Sequence, residues 1–149
     1  MKGYRHWHGD IRADDNPLEA GLAFTCKLKD ESKDFIGRKA LEEAKKSLNK
    51  KLFCFTIDDD KPLWGLESIW DDDENKPVGY LRRAEYAFSL EKTIGYGYIS
   101  QDLTNASINK FKELKERKYS IESFGERRSA QIFLKSPFDP DNKRVQGNF

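Results

Sequence analysis

Cysteine is nearly missing from this chain: Cys26 and Cys54 are the only two among 149 residues. That is too few for a disulfide framework or a cysteine-built zinc site. Both lie in apolar strand patterns, which predicts two reduced, buried thiols. Long apolar runs are missing too. The longest is Leu52-Phe53-Cys54-Phe55, whereas a membrane helix needs about 20 such residues, so no membrane partner is expected. Residues 1–10 are polar and aromatic, and no signal peptide is expected there. An excess of one charge is absent as well. Lys+Arg total 27 and Asp+Glu 26, for a net charge of +1, so the basic footprint of a nucleic-acid partner is not present. Only two histidines occur, and no G-x-S-x-G segment, which leaves little for a Ser-His-Asp triad.

What the chain does have is mixed charge and aromatics. Charged residues make up 36%, against roughly 25% in average globular proteins, and their near balance reads as a solvated surface. The hydrophobic share is only 37%, but it includes ten Phe, six Tyr and three Trp. Each such ring buries roughly 150–250 Å², so a packed core is within reach and intrinsic disorder is not expected.

Periodicity divides the chain near Asn49–Lys51. Before it, Asn16-Pro17 is a helix-start signal, because Asn caps and Pro tolerates the first helical position. Leu22–Leu28 reads as a strand with Leu22, Phe24, Cys26 and Leu28 on one face. Arg38–Leu48 reads as a helix, with Leu41, Ala44 and Leu48 on one side. After the division, Lys51–Asp58 is apolar on both faces and predicts a covered strand. Leu66–Trp70 and Val78–Arg82 flank an acidic loop and predict a hairpin. Thr93–Ile99 predicts a strand in which Gly95 and Gly97 permit close backbone approach. Ile108, Phe111 and Leu114 predict a short helix, and Tyr119–Glu122 with Arg128–Leu134 a closing hairpin. Such spacing without long βαβ units predicts an α+β chain, mainly β, built on a small antiparallel barrel.

The candidate chemistry in isolated residues is thin. His6 and His8 would share a face if residues 6–8 were a strand, but no third metal ligand stands nearby. Asp58–Asp60 and Asp71–Glu74 lack the calcium-loop pattern and read as solvated turns. Gly95-Tyr96-Gly97 lacks the third glycine and following helix of a dinucleotide fingerprint.

Four stretches carry a family resemblance. Y-R-H-W-H-G-D-I-R at Tyr4–Arg12 is followed by P-L-E-A-G-L at Pro17–Leu22. D-F-I-G-R-K-A-L then occupies Asp34–Leu41, and S-P-F-D-P-D-N-K-R occupies Ser136–Arg144. Together they resemble the C-terminal part of the aminomethyltransferase superfamily, the fold of the glycine-cleavage T-protein. Within it, the flanking signatures look most like the sarcosine dehydrogenase branch, with dimethylglycine dehydrogenase close behind.

The resemblance implies an architecture. Residues 1–49 would be the tail of a folate-binding subdomain and residues 50–149 the C-terminal β-barrel. It implies tetrahydrofolate as ligand, and FAD only in a flavin domain of the full-length enzyme, N-terminal to this part and not within these residues. It implies a mitochondrial matrix location in a eukaryote and the cytoplasm in a bacterium. This chain would contribute binding and enclosure, with no catalytic residue of its own. A glycine-cleavage aminomethyltransferase, or a non-catalytic regulatory relative such as the regulatory subunit of pyruvate dehydrogenase phosphatase, are the alternatives. Carried over residue by residue, the family's basic residue before D-F is Lys33, and its contact after P-F-x-P-x-N is Lys143 or Arg144. All three would meet folate, whose anionic glutamate tail suits Lys and Arg. The family's pterin-binding glutamate falls on Met1, sixteen positions before Pro17; the expectation is that the acid lies one residue upstream. Two further expectations are that the first fifty residues attach only loosely and that the isolated chain binds folate weakly.

Overall fold

The computed structural model describes residues 2–148, so the Met1 position of the pterin-binding glutamate lies outside the described residues. Six strands form a closed, all-antiparallel barrel: β1 (Lys50–Ile57), β2 (Ser68–Asp71), β3 (Lys76–Ala87), β4 (Lys92–Ser100), β5 (Tyr119–Ser123) and β6 (Glu126–Phe133). Around the barrel they run β1-β4-β3-β2-β5-β6, and β6 pairs back to β1. The described residues are mainly β, with two short α-helices among them, α1 (Arg38–Ala44) and α2 (Phe111–Glu116).

Alternation along β1 explains why its sequence is apolar on both faces. Phe53, Phe55 and Ile57 point into the barrel with Ile69, Val78, Leu81, Ile99, Ile121 and Ile132, and Ile108 and Leu114 join them. Leu52 and Cys54 belong to a second layer outside the barrel, with Ile94, Tyr96 and Tyr98. Phe111 of α2 stacks on Phe53, ring centres 6.0 Å apart.

In β4 the tyrosines alternate with glycines, and each face needs its own residue type. A Cβ on Gly97 would lie 2.6 Å from the Tyr80 carbonyl oxygen and 2.7 Å from a methyl of Ile69. One on Gly95 would meet both Leu81 methyls at 3.0 Å. A six-stranded barrel has little interior, so glycine on the inner face makes room for branched side chains from neighbouring strands.

Several expectations change. Leu22–Leu28 is not a strand. Ala23–Thr25 is a single 3₁₀ turn, held by the Thr25 and Cys26 amides donating to Leu22 and Ala23. It has no strand partner, and Phe24 is 81% exposed. Cys26 is therefore only half-buried, whereas Cys54 is buried. The helix predicted over Arg38–Leu48 ends at Ala44. The acidic hairpin loop is not merely solvated: Arg117 Nε meets Asp71 at 3.0 Å and its guanidinium also pairs with Glu74.

The N-terminal segment is not loosely attached either. Asp15 accepts from Arg82 at 3.1 Å and pairs with Lys50 at 2.5 Å. Asp10 takes both Nε and Nη2 of Arg83, at 3.1 and 2.9 Å. Tyr98 donates its hydroxyl to the Asp10 carbonyl at 3.2 Å, and the Leu52 amide donates to the Glu19 carbonyl at 2.9 Å. Residues 10–20 thus lie along the outer layer of the barrel, with Asp10 and Ala20 fully buried.

Candidate functional site

Where β1 begins, the N-terminal and C-terminal segments meet over the barrel and leave a cleft of about 760 Å³. Its walls include Lys2, Arg5, Phe24, Lys51, Lys135 and Asp139. Three local devices shape it.

The first is the turn carrying P-L-E-A-G. Asn16 Oδ1 accepts from the amides of Leu18 and Glu19, at 2.9 and 3.0 Å, while Glu19 Oε2 accepts from the Asn16 amide at 3.1 Å. This is a reciprocal capping arrangement, and it turns the chain at Gly21, whose φ of +72° favours glycine.

The second device is Arg5. It donates Nε to the Ala20 carbonyl at 2.9 Å and Nη1 to the Gly3 carbonyl at 2.7 Å. Its guanidinium carbon lies 5.4 Å from the centre of the Tyr96 ring, as does that of Arg83. Arg5 thereby ties both strips of the N-terminal segment to β4. In the same segment His6 and His8 stand in a tight turn, not on a strand: His8 has φ +68°, and both rings are exposed.

The third is the C-terminal turn. Asp139 accepts from Lys2 Nζ at 2.6 Å and from the Arg144 amide at 3.2 Å. This contact joins the two ends of the described chain. Lys2 also reaches the Asn142 side chain, at 3.0 Å. The arrangement suits an anionic ligand, because Lys2, Arg5, Lys51 and Lys135 outnumber the single carboxylate, already engaged by Lys2.

The residues that resemblance singled out are not in the walls of this cleft. Lys33 is exposed on the loop before α1, where its carbonyl accepts from Arg38 Nη1 at 2.5 Å. Arg38 is the organiser there, donating also to the carbonyls of Asp30 and Leu28, both at 3.0 Å. Lys143 and Arg144 are exposed on the turn behind Asp139, with the Arg144 guanidinium 5.2 Å from the Phe138 ring centre. Sequence reasoning missed Arg5, Lys51 and Lys135; only the Y-R-H-W-H signature held a hint, for Arg5.

Residues 50–139 match the family described as the glycine cleavage T-protein C-terminal barrel domain. The chain is 50% identical over 147 residues to "Sarcosine dehydrogenase, mitochondrial" of Mus musculus, covering 98% of this chain and 16% of that protein. It is 36% identical over 120 residues to "Dimethylglycine dehydrogenase, mitochondrial" of Homo sapiens, covering 79% and 14% respectively. Among solved structures, the glycine cleavage system aminomethyltransferase T of Bartonella henselae superposes with a TM-score of 0.70 at 18% identity, over 88% of this chain and 34% of that one. The chain thus spans about 16% of the length of the sarcosine dehydrogenase it matches.

Proposed function

This chain belongs to the glycine cleavage T-protein C-terminal barrel family, and on that footing we propose that it is the folate-side, C-terminal portion of a sarcosine dehydrogenase-like flavoenzyme. In that enzyme sarcosine is oxidatively demethylated and the released one-carbon unit passes to tetrahydrofolate. The 50% identity running through 98% of the chain carries the reading. It covers the flanking signatures Tyr4–Arg12 and Ser136–Arg144 as well as the barrel. With that reading goes the division at residues 49 and 50, the first part being the tail of the folate-binding subdomain. With that reading goes a mitochondrial matrix location in a eukaryote and the cytoplasm in a bacterium; the names of the dehydrogenase relatives, which print "mitochondrial", support the first.

The chemistry assigned to these residues is binding and enclosure. Lys33, Lys143 and Arg144 are the cations proposed to meet the glutamate tail of folate, in the manner of Arg and Lys at carboxylate sites. The cationic walls of the cleft extend the same field inward. The Gly95-Tyr96-Gly97 segment does not fit a flavin dinucleotide. Gly95 and Gly97 face the barrel interior in mid-strand, antiparallel to β1, and so do not open the strand–turn–helix that cradles a pyrophosphate. FAD is proposed for the longer enzyme, outside this chain.

The test is substrate choice by the full-length protein. Reduction of an electron acceptor with sarcosine, and faster than with dimethylglycine, is the expected result. Turnover of neither amine would reject the dehydrogenase reading and leave an aminomethyltransferase-fold protein without that oxidation.

A further inference from the structure

Strand β3 outruns its neighbour β2. The two pair no further along β3 than Tyr80, which faces Ser68. Just beyond, the Leu66 amide donates to the Leu81 carbonyl at 2.7 Å and the Leu81 amide to the Glu67 carbonyl at 2.8 Å. A β-bulge at Arg82, between the Leu81–Gly97 and Arg83–Tyr96 pairs, marks where this pairing stops. From Arg83 to Ala87 the strand is paired with β4 alone among the described strands. In an antiparallel ladder alternate residues point both amide and carbonyl to the same side, so part of this backbone faces away from β4. Among the described residues, no amide or carbonyl of Arg83–Tyr86 takes a hydrogen bond on that side. An unpaired edge of this kind is a template for another strand.

A groove of about 410 Å³ is bounded by three consecutive residues of this edge, Ala84, Glu85 and Tyr86, and by Asp60, Leu63 and Phe88. Its chemistry alternates along the strand. Ala84 belongs with Leu63 to the barrel's inner cluster, so that face is apolar. Two residues on, the Tyr86 ring meets Phe88 edge-on with ring centres 5.2 Å apart, and Phe88 is 81% exposed. Glu85 lies on the other face, across from Ile94 of the outer layer. The charges of the groove are both negative: Asp60 and Glu85, whose carboxylates take no ion pair and no hydrogen bond among the described residues. Lys61, next to Asp60 in the chain, and Lys92, across from Ala87, are already paired with Glu126 and Asp58.

We propose that the Arg83–Ala87 edge is a docking site for an extended segment of another polypeptide, which adds to the sheet as a further strand beside β3. The free backbone groups select an extended chain, because its main chain can complete their hydrogen bonds. Side chains of a strand alternate between its two faces, and the groove then selects their type. Apolar residues fit beside Ala84, Tyr86 and Phe88, alternating with Lys or Arg that meet the free carboxylates of Glu85 and Asp60. The inference goes beyond the folate reading and does not depend on it.

The experiment titrates a short, end-blocked peptide alternating Val and Lys into the 149-residue chain and into the full-length protein. Backbone amide NMR follows the shorter chain, and calorimetry both. Amide shifts and slowed hydrogen exchange are expected at Arg83–Ala87, and Glu85→Lys is expected to weaken binding several-fold. Methylating alternate peptide nitrogens separates strand addition from mere apolar contact and leaves the protein untouched. One of the two alternating sets is expected to abolish binding and the other to preserve it. No shift at Arg83–Ala87 with millimolar peptide overturns the proposal, as does an affinity that Glu85→Lys leaves unchanged, or binding that both methylated peptides keep or both lose. Binding by the shorter chain that is absent from the full-length protein also overturns it, because the longer protein itself then covers this edge. No folate and no amine substrate is added, so the result stands apart from the dehydrogenase reading.

Discussion

Arg82 and Asp15 form an ion pair at 3.1 Å, with side chains only 3% and 0% exposed, although 67 residues separate them in the chain. The guanidinium also lies 4.9 Å from the centre of the Tyr98 ring, and its Nε and Nη1 have no hydrogen-bond partner among the described residues. Asp15 is therefore its main compensation. Removing one member of a buried pair leaves the other charge stranded, at a cost of about 3–5 kcal/mol. Asp15→Ala is expected to destabilise the protein by about that much, measured as a lower urea midpoint with unchanged slope. A loss below about 1 kcal/mol, the range of exposed pairs, would show that the N-terminal segment is not stitched to the barrel in this way.

Glycine substitutions separate close approach from turn conformation. Gly97→Ala is expected to prevent formation of the native barrel, because the added methyl would lie 2.6 Å from the backbone oxygen of Tyr80. Gly125→Ala sits in the β5–β6 turn at φ +77° with nothing within 4 Å, and is expected to cost only about 1–2 kcal/mol. Circular dichroism and urea titration of the two variants distinguish these outcomes. Equal effects would contradict the inner-face role of Gly97.

The two thiols should differ in reactivity. Burial pushes Cys54 up to about 12, whereas Cys26 is half-buried beside Thr25. A thiol reagent is expected to label Cys26 in the native protein and Cys54 only on unfolding. The folded state also holds the Cys54 proton that the unfolded chain releases near its ordinary value of 9.0. Stability from this group is thus present below about pH 9 and falls as pH rises toward about 12. Tyr96, Tyr98 and Tyr119 are raised by burial in the same direction and add to the alkaline loss. Urea midpoints that stay constant from neutral pH to pH 11 would contradict this.

Much of the barrel was legible because alternation is a local signal. Lys51–Asp58 reads as a covered strand, and β1 is buried on both faces from Leu52 to Ile57. The Phe124-Gly125-Glu126 turn likewise joins β5 to β6, since Gly125 and Phe124 both take positive φ there. Leu22–Leu28 misled because apolar alternation does not create a strand without a neighbour to pair with. The cleft was the least legible part. Its walls come from three separated segments, and contacts such as Lys2 to Asp139, 137 residues apart, leave no periodic trace. Family resemblance reached Lys33, Lys143 and Arg144 but not Lys51 or Lys135, which lie in the walls themselves.

The central claim, that this chain forms the folate side of a larger one-carbon enzyme, is tested most directly by calorimetric titration of tetrahydrofolate. The full-length protein and the 149-residue chain are titrated side by side, and the full-length protein also as Lys33→Ala and Arg144→Ala. The account predicts binding by the full-length protein, weakened about tenfold or more by either substitution, as for a lost charged hydrogen bond of about 1.5–3 kcal/mol. It predicts weak or no binding by the shorter chain. Micromolar binding by the 149-residue chain alone, or full-length affinity untouched by both substitutions, would contradict it.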